Sequence, residues 1–258
     1  MRLGILDSGS GGLTVLKAVR QACPWMDIDY IGDTARSPWG NRSKEELRQF
    51  NRELIQFLLN KQVDVIINAC NTTFSLLSAE YEGWVTKPIL GLPPAACRQA
   101  VTQTKTHRIA VIATQGTIGS HVYKNLLEKY SEQPLQIFEL ACPELAGWIE
   151  SGHIYHPDAM PVLQGYVDQV LQFKPDVLVY ACSHYPLIDE LFNQLGCQSL
   201  IKVDPALTVL QPLSQYVQSS HNYKKGELNV YLTAYSDPFN ALFQKVMAEN
   251  VSITRVTF

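Results

Sequence analysis

Long apolar runs are missing from this 258-residue chain. No uncharged stretch approaches the roughly 20 residues that a bilayer-spanning helix needs, and the apolar part of Met1 to Asp7 is too short for a signal-peptide core. The location expected from this is the cytoplasm, with no membrane partner. An excess of one charge is missing too. The 21 Lys and Arg against 24 Asp and Glu leave a formal charge of −3, and no basic cluster follows one face, which sets nucleic acid aside as a main ligand. None of the six cysteines forms a C-x-x-C pair, so neither a zinc site nor a small disulfide scaffold is indicated. Any role they have is as thiols. With 15 Gly and 14 Pro the chain is neither collagen-like nor low in complexity, and 46% apolar against 17% charged residues predicts an ordered core.

The length allows one large domain or two modest ones. Strand-length apolar segments recur at 2–6, 29–31, 63–68, 89–90, 109–113, 135–138, 177–181, 200–203 and 230–233, with helical patterns between most of them, and 252–258 is expected as a last strand. Ser43 and Glu46 have the spacing of a capping box. Asp237-Pro238 suits an N-cap followed by Pro at the first helical position, and a further helix is expected near Thr73 to Glu82. Alternating strands and helices predict an α/β protein with parallel sheets.

The chain also repeats itself. Val63 to Thr72 (VDVIINACNT) lies over Pro175 to His184 (PDVLVYACSH) at an offset of 112, and Arg2 to Gly9 lies over Arg108 to Gln115 at an offset of 106. Two matches in the same order at nearly one offset predict two similar α/β halves related by a pseudo-twofold axis, with a site in the cleft between them. The expected first domain is discontinuous, 1–92 with about 206–258; the second is 93–205.

In open α/β sheets ligands bind beyond the carboxyl ends of the strands. The polar residues in those places are Asp7-Ser8, Cys70-Asn71-Thr72, Thr114 to Thr117 and Cys182-Ser183-His184. Two halves facing one another would bring Cys70 and Cys182 to one cleft from opposite sides. A thiolate can serve as base while a second thiol serves as acid. Removing a proton from one face of a carbon and returning one to the other inverts the centre, which needs acid and base on opposite faces. Asp7 and His184 are placed to tune or relay protons for the thiols.

DSGSGGLTV (Asp7 to Val15), GDTARSPWG (Gly32 to Gly40), ACNTT (Ala69 to Thr73), ATQGTI (Ala113 to Ile118) and ACSHYPLI (Ala181 to Ile188) resemble the successive signatures of the glutamate racemases, within the aspartate/glutamate racemase superfamily. The resemblance implies a cofactor-independent, metal-free interconversion of L- and D-glutamate, used in bacterial peptidoglycan synthesis. It also implies two α/β domains and frequently a homodimer. It assigns proton transfer to Cys70, on the D-enantiomer, and to Cys182, on the L-enantiomer, with Asp7 and His184 assisting. Asp7, Ser8, Trp39, Gly40, Asn71, Thr72, Ser183 and His184 match substrate-holding positions, with Thr114, Thr117 and Glu150 as weaker additions. The chain departs from the pattern at Trp39, where Tyr is usual, and at Ser183, where Thr is usual. It departs again at Pro94-Ala95-Ala96, in place of Pro-Gly-Ala, and at Asp204-Pro205, in place of Asp-Ser-Gly.

Other readings stand beside this one. The same frame could serve aspartate or a related acid. A Cys-His hydrolase built on Cys182 and His184 would leave Cys70 without a role, and a two-lobed amino-acid binder is disfavoured without an export signal. Cys23, Cys97, Cys142 and Cys197 read as small buried hydrophobes. His107, His121, His153, His156 and His221 lack partners at ligand spacing and read as structural.

Overall fold

A computed structural model describes residues 1–217 and 224–258; His221 lies outside the described residues. The strands are β1 (Arg2–Asp7), β2 (Asp27–Gly32), β3 (Val65–Asn68), β4 (Ile89–Gly91), β5 (Arg108–Ala113), β6 (Gln136–Ala141), β7 (Val177–Ala181), β8 (Ile201–Val203), β9 (Leu228–Leu232) and β10 (Ile253–Arg255). They form two sheets, ordered β10-β9-β2-β1-β3-β4 and β6-β5-β7-β8, and every pairing is parallel. The chain is thus two parallel-sheet α/β domains. The order β2-β1-β3-β4 in one lobe is repeated as β6-β5-β7-β8 in the other, as the sequence repeat predicts.

Register makes the equivalence exact to the residue. Leu6 pairs with Asn68, so one step further along sets Asp7 beside Ala69 and two steps set Ser8 beside Cys70. Ala113 pairs with Ala181, so the next step sets Thr114 beside Cys182. In each lobe the cysteine follows the third strand and faces the residue that follows the first.

Both faces of each sheet are covered, which is why the central strands read as continuous apolar runs rather than alternating ones. Leu3 and Ile5 of β1 enter one core cluster and Leu6 another. Ala110 and Ile112 of β5 point into one cluster, and Ile109, Val111 and Ala113 into the opposite one. Each fully buried Ile, Leu or Val contributes about 1.5–3 kcal/mol of transfer free energy, and this burial fixes the strand ends that carry the thiols. The helix Pro93–Gln103 gives Ala96, Cys97 and Ala100 to the second lobe's core. Ala206, Val209 and Leu213, from the short helices after β8, return to the first.

The capping box at Ser43 and Glu46 is formed. Two local expectations are corrected. The helix after β3 runs Asn71–Leu77 and gives way to a 3-10 turn at Ser78–Gly83, because Cys70 itself, in extended conformation, turns the chain from strand into helix. Near the C-terminus the cap is Ser236, one residue before the expected Asp237: its hydroxyl accepts from the Phe239 N–H at 3.2 Å, and Pro238 falls at the second helical position. No helix among the described residues is long and apolar enough to cross a membrane.

Candidate active site

The strand-end residues of the two lobes meet. Cys70 and Cys182 are 4% and 5% exposed, and the second thiol lies near enough for its charge to act on the first. Burial pushes the Cys70 thiol up to about 12, with the charges of Asp7 and Cys182 adding to it and hydrogen bonds at Thr73 opposing it. Cys70 therefore holds its proton at neutral pH until something draws it away. Cys182 has a different neighbour: its Sγ is 3.7 Å from His184 Nδ1.

His184 is the centre of a buried relay. Its Nε2 lies 2.6 Å from Glu150 Oε2, and Glu150, from the helix Leu145–Ser151, also accepts from the Ser10 N–H at 2.9 Å and the Ser10 hydroxyl at 2.7 Å. Burial opposes charge on His184, but hydrogen bonds to Cys182 and Glu150 and the charges of both outweigh it, raising its pKa well above the ordinary value. Burial would likewise raise the Glu150 carboxyl; the bonds to His184 and Ser10 prevail and hold it below the usual range. The glycine-rich turn after β1 exists to let this happen. A Cβ on Gly11 would fall 2.4 Å from His184 Nδ1 and from Ser183 Oγ, and one on Gly9 would fall 2.7 Å from Glu150 Oε1.

Asp7 ends β1 fully buried. Its Oδ2 accepts from the Gly9 N–H at 3.0 Å, and its Oδ1 accepts from the Ser183 hydroxyl at 3.2 Å. Burial raises its carboxyl above the ordinary value, partly offset by His184 and by the amides of Gly9 and Gly12. Ser8 follows it, buried.

On the other side Thr72 and Thr114 hydroxyls are 2.8 Å apart, and Thr117 lies 3.1 Å from Thr114, so three hydroxyls from both lobes converge. The Gly116 N–H donates to the Gly40 carbonyl at 3.2 Å. The Asn71 amide oxygen accepts from the Tyr123 hydroxyl at 2.6 Å. That bond fixes the amide's orientation and leaves its buried Nδ2 without a protein partner.

Of the residues singled out in the sequence, Asp7, Ser183 and His184 are thus joined around Cys182, and Thr72, Thr114, Thr117 and Gly40 meet at the lobe interface. The Trp39 side chain is set apart from both groups. Its ring is 1% exposed in the same apolar cluster as Cys70, and its only polar atom donates to Asp33 Oδ2 at 3.1 Å. The indole N–H is thus already engaged within its own lobe. Ser10 and Tyr123 were missed by sequence reasoning, though both lie inside or just beyond quoted motifs, and Glu150 proves central where it was only a weaker addition. Cys97, Cys142 and Cys197 are buried in the core, and Cys23 is half-buried. One correction concerns the histidines: His153 and His156 converge on Asp158, at a spacing that sequence reasoning left without a partner.

A duplicated α/β frame with a thiol after the third strand of each lobe, and charged relay groups at one of them, has the form of an amino-acid racemase. The chain belongs to the Asp/Glu/Hydantoin racemase family, whose model matches residues 10–209. It is 34% identical to the glutamate racemase of Aquifex aeolicus, over 97% of this chain and 96% of that one. It is 38% identical to the glutamate racemase of Gloeothece citriformis, over 81% and 74%. The crystal structure of the glutamate racemase isoform RacE1 from Bacillus anthracis matches with a TM-score of 0.90 at 28% identity, over 99% of this chain and 97% of that one. Within the family the chain stands among the glutamate racemases.

Proposed function

We propose that the protein interconverts L- and D-glutamate by a two-thiol mechanism that needs no cofactor or metal. The observation that carries this reading is the equivalence of Cys70 and Cys182: same strand of each repeated sheet, same register, one shared interface. A hydrolase would use only Cys182 with His184, and the matching position of Cys70 would have no purpose.

In the L-to-D direction the Cys182 thiolate takes the proton from Cα, and the Cys70 thiol gives its own proton to the opposite face. The products are D-glutamate, a Cys182 thiol and a Cys70 thiolate; proton exchange with solvent resets the pair. His184, bonded to Glu150 and 3.7 Å from Cys182 Sγ, is placed to exchange a proton with that sulfur. Asp7 steadies Ser183 and serves the opposite transfer. Ser8, Gly40, Asn71, Thr72, Thr114, Thr117, Ser183 and His184 hold the substrate, Trp39 contributing through its backbone; the threonine hydroxyls exchange their mutual bonds for bonds to its carboxylates, and the unpartnered Asn71 Nδ2 donates to them while Tyr123 keeps the amide in place. We take 1–92 with about 206–258, and 93–205, as the two units that close over it. Function in the cytoplasm as a homodimer that supplies D-glutamate for peptidoglycan completes the reading, supported by the family resemblance.

The test is circular dichroism of L-glutamate with purified protein. Rotation decays to zero with the wild type, and Cys70→Ser and Cys182→Ser each abolish the decay. Near-normal turnover by either variant would refute the two-thiol assignment.

A further inference from the structure

Outside the cleft, a second group of chemistry-bearing side chains is drawn together by the chain segment that follows Glu150. The helix Leu145–Ser151 ends at Gly152, whose φ of 78° is the left-handed conformation that suits glycine. A 3-10 turn, His153–Tyr155, follows immediately, and Pro157 stiffens the exit. This places His153 Nε2 3.0 Å and His156 Nδ1 2.7 Å from the same oxygen, Asp158 Oδ1. The two imidazole rings stack, with centroids 5.0 Å apart and planes 14° from parallel, and His153 also rests against Trp148 at 5.4 Å.

Two imidazole nitrogens aimed at one carboxylate oxygen are an uncommon use of histidine if hydrogen bonding is the whole purpose, since Asp158 needs only one donor to be satisfied in solvent. The three ligand atoms lie within 4.8 Å of one another. A tetrahedral cation with metal-to-ligand distances of about 2.0–2.2 Å needs its ligands about 3.3–3.6 Å apart, so small side-chain rotations suffice. Two imidazoles and one carboxylate suit zinc, nickel or copper, and fit poorly with magnesium or calcium, which take oxygen ligands. All three side chains are partly or well exposed, so water can complete the coordination shell. The ligands span six residues of a short, internally hydrogen-bonded segment, which limits the chain entropy lost on binding.

We propose that His153, His156 and Asp158 form a surface site for a divalent transition metal, separate from the thiol cleft. The test uses untagged full-length protein carrying Cys70→Ser and Cys182→Ser, so that the cleft thiols cannot compete. Calorimetric titration with Ni²⁺ and with Zn²⁺ is expected to show one equivalent bound with micromolar affinity, weakened at least about tenfold by His156→Ala and abolished by His153→Ala with His156→Ala. Ni²⁺ should also quench part of the tryptophan emission, through Trp148 beside His153. His156→Ala, which leaves the Trp148 contact with His153 in place, should shift that quenching to metal concentrations at least about tenfold higher. Binding no tighter than millimolar, or equal affinity in the double histidine variant, would overturn the proposal.

Discussion

Replacing Glu150 by Gln tests the relay that distinguishes the two thiols. The carboxylate meets three donors: the Ser10 N–H, shared between Oε1 and Oε2, and the Ser10 hydroxyl and His184 Nε2, both on Oε2. Glutamine can set its one carbonyl oxygen at the Oε2 position, but it takes the negative charge out of the bond to His184 and turns the Oε1 position into a donor facing the Ser10 N–H. The loss of a charge-assisted bond to a buried imidazolium is worth about 3 kcal/mol, so kcat/KM should fall roughly 100-fold. Because the enantiomers have equal free energy, kcat/KM must fall equally in both directions. Isotope effects separate the sides. With the Cys182 transfer slowed, L-glutamate deuterated at Cα should show a larger primary isotope effect than in the wild type, while deuterated D-glutamate should show a smaller one. The assay is circular dichroism of each labelled enantiomer under limiting substrate. A fall of less than about threefold, or an isotope effect that grows on the D side, would refute the assignment of the relay to Cys182.

Tyr123→Phe removes the hydroxyl that holds the Asn71 amide at 2.6 Å. An unsatisfied buried acceptor costs about 1 kcal/mol, so KM for glutamate should rise about fivefold with kcat little changed; an unaltered KM in steady-state kinetics would contradict the positioning role. Asp204, which caps the helix Pro205–Thr208 by accepting from the Ala206 N–H at 2.8 Å, has its carboxyl raised by burial to about 6 from 3.8. A carboxyl with a raised folded-state pKa destabilises the fold when ionised. The penalty grows as pH rises from 3.8 and is complete above about 6, where a shift of this size corresponds to roughly 2–3 kcal/mol. Asp204→Asn, which keeps the cap, should therefore gain stability in urea at pH 8 and none at pH 3.5; equal gains at both would show the effect is not electrostatic.

Much of this architecture was legible in the sequence because its signals are local. β1, β3, β5 and β7 are apolar on both faces and so read as strands without knowledge of their neighbours, and the repeat around Cys70 and Cys182 carried the pairing of the lobes. Helix starts were less legible: Cys70 and Ser236 cap their helices through backbone conformation and a hydroxyl bond that the neighbouring Thr73 and Asp237 imitate in sequence. Tyr123 was hidden, and Glu150 only faintly marked, for another reason. Glu150 meets Ser10 across 140 residues and Tyr123 meets Asn71 across 52, so neither has a partner at any spacing that a pattern search inspects. The sequence pattern also says nothing of where the Trp39 indole turns, which is to Asp33 and Phe50.

Deuterium oxide gives the most direct test of two acids on opposite faces of one carbon. L-glutamate is incubated with the enzyme in deuterated buffer and stopped at early conversion, and the enantiomers are separated for mass analysis. Two facing thiols predict D-glutamate carrying solvent deuterium at Cα while the recovered L-glutamate remains protiated. Protium retained in the product together with deuterium in the recovered substrate would mean a single base serves both faces, and would contradict the account.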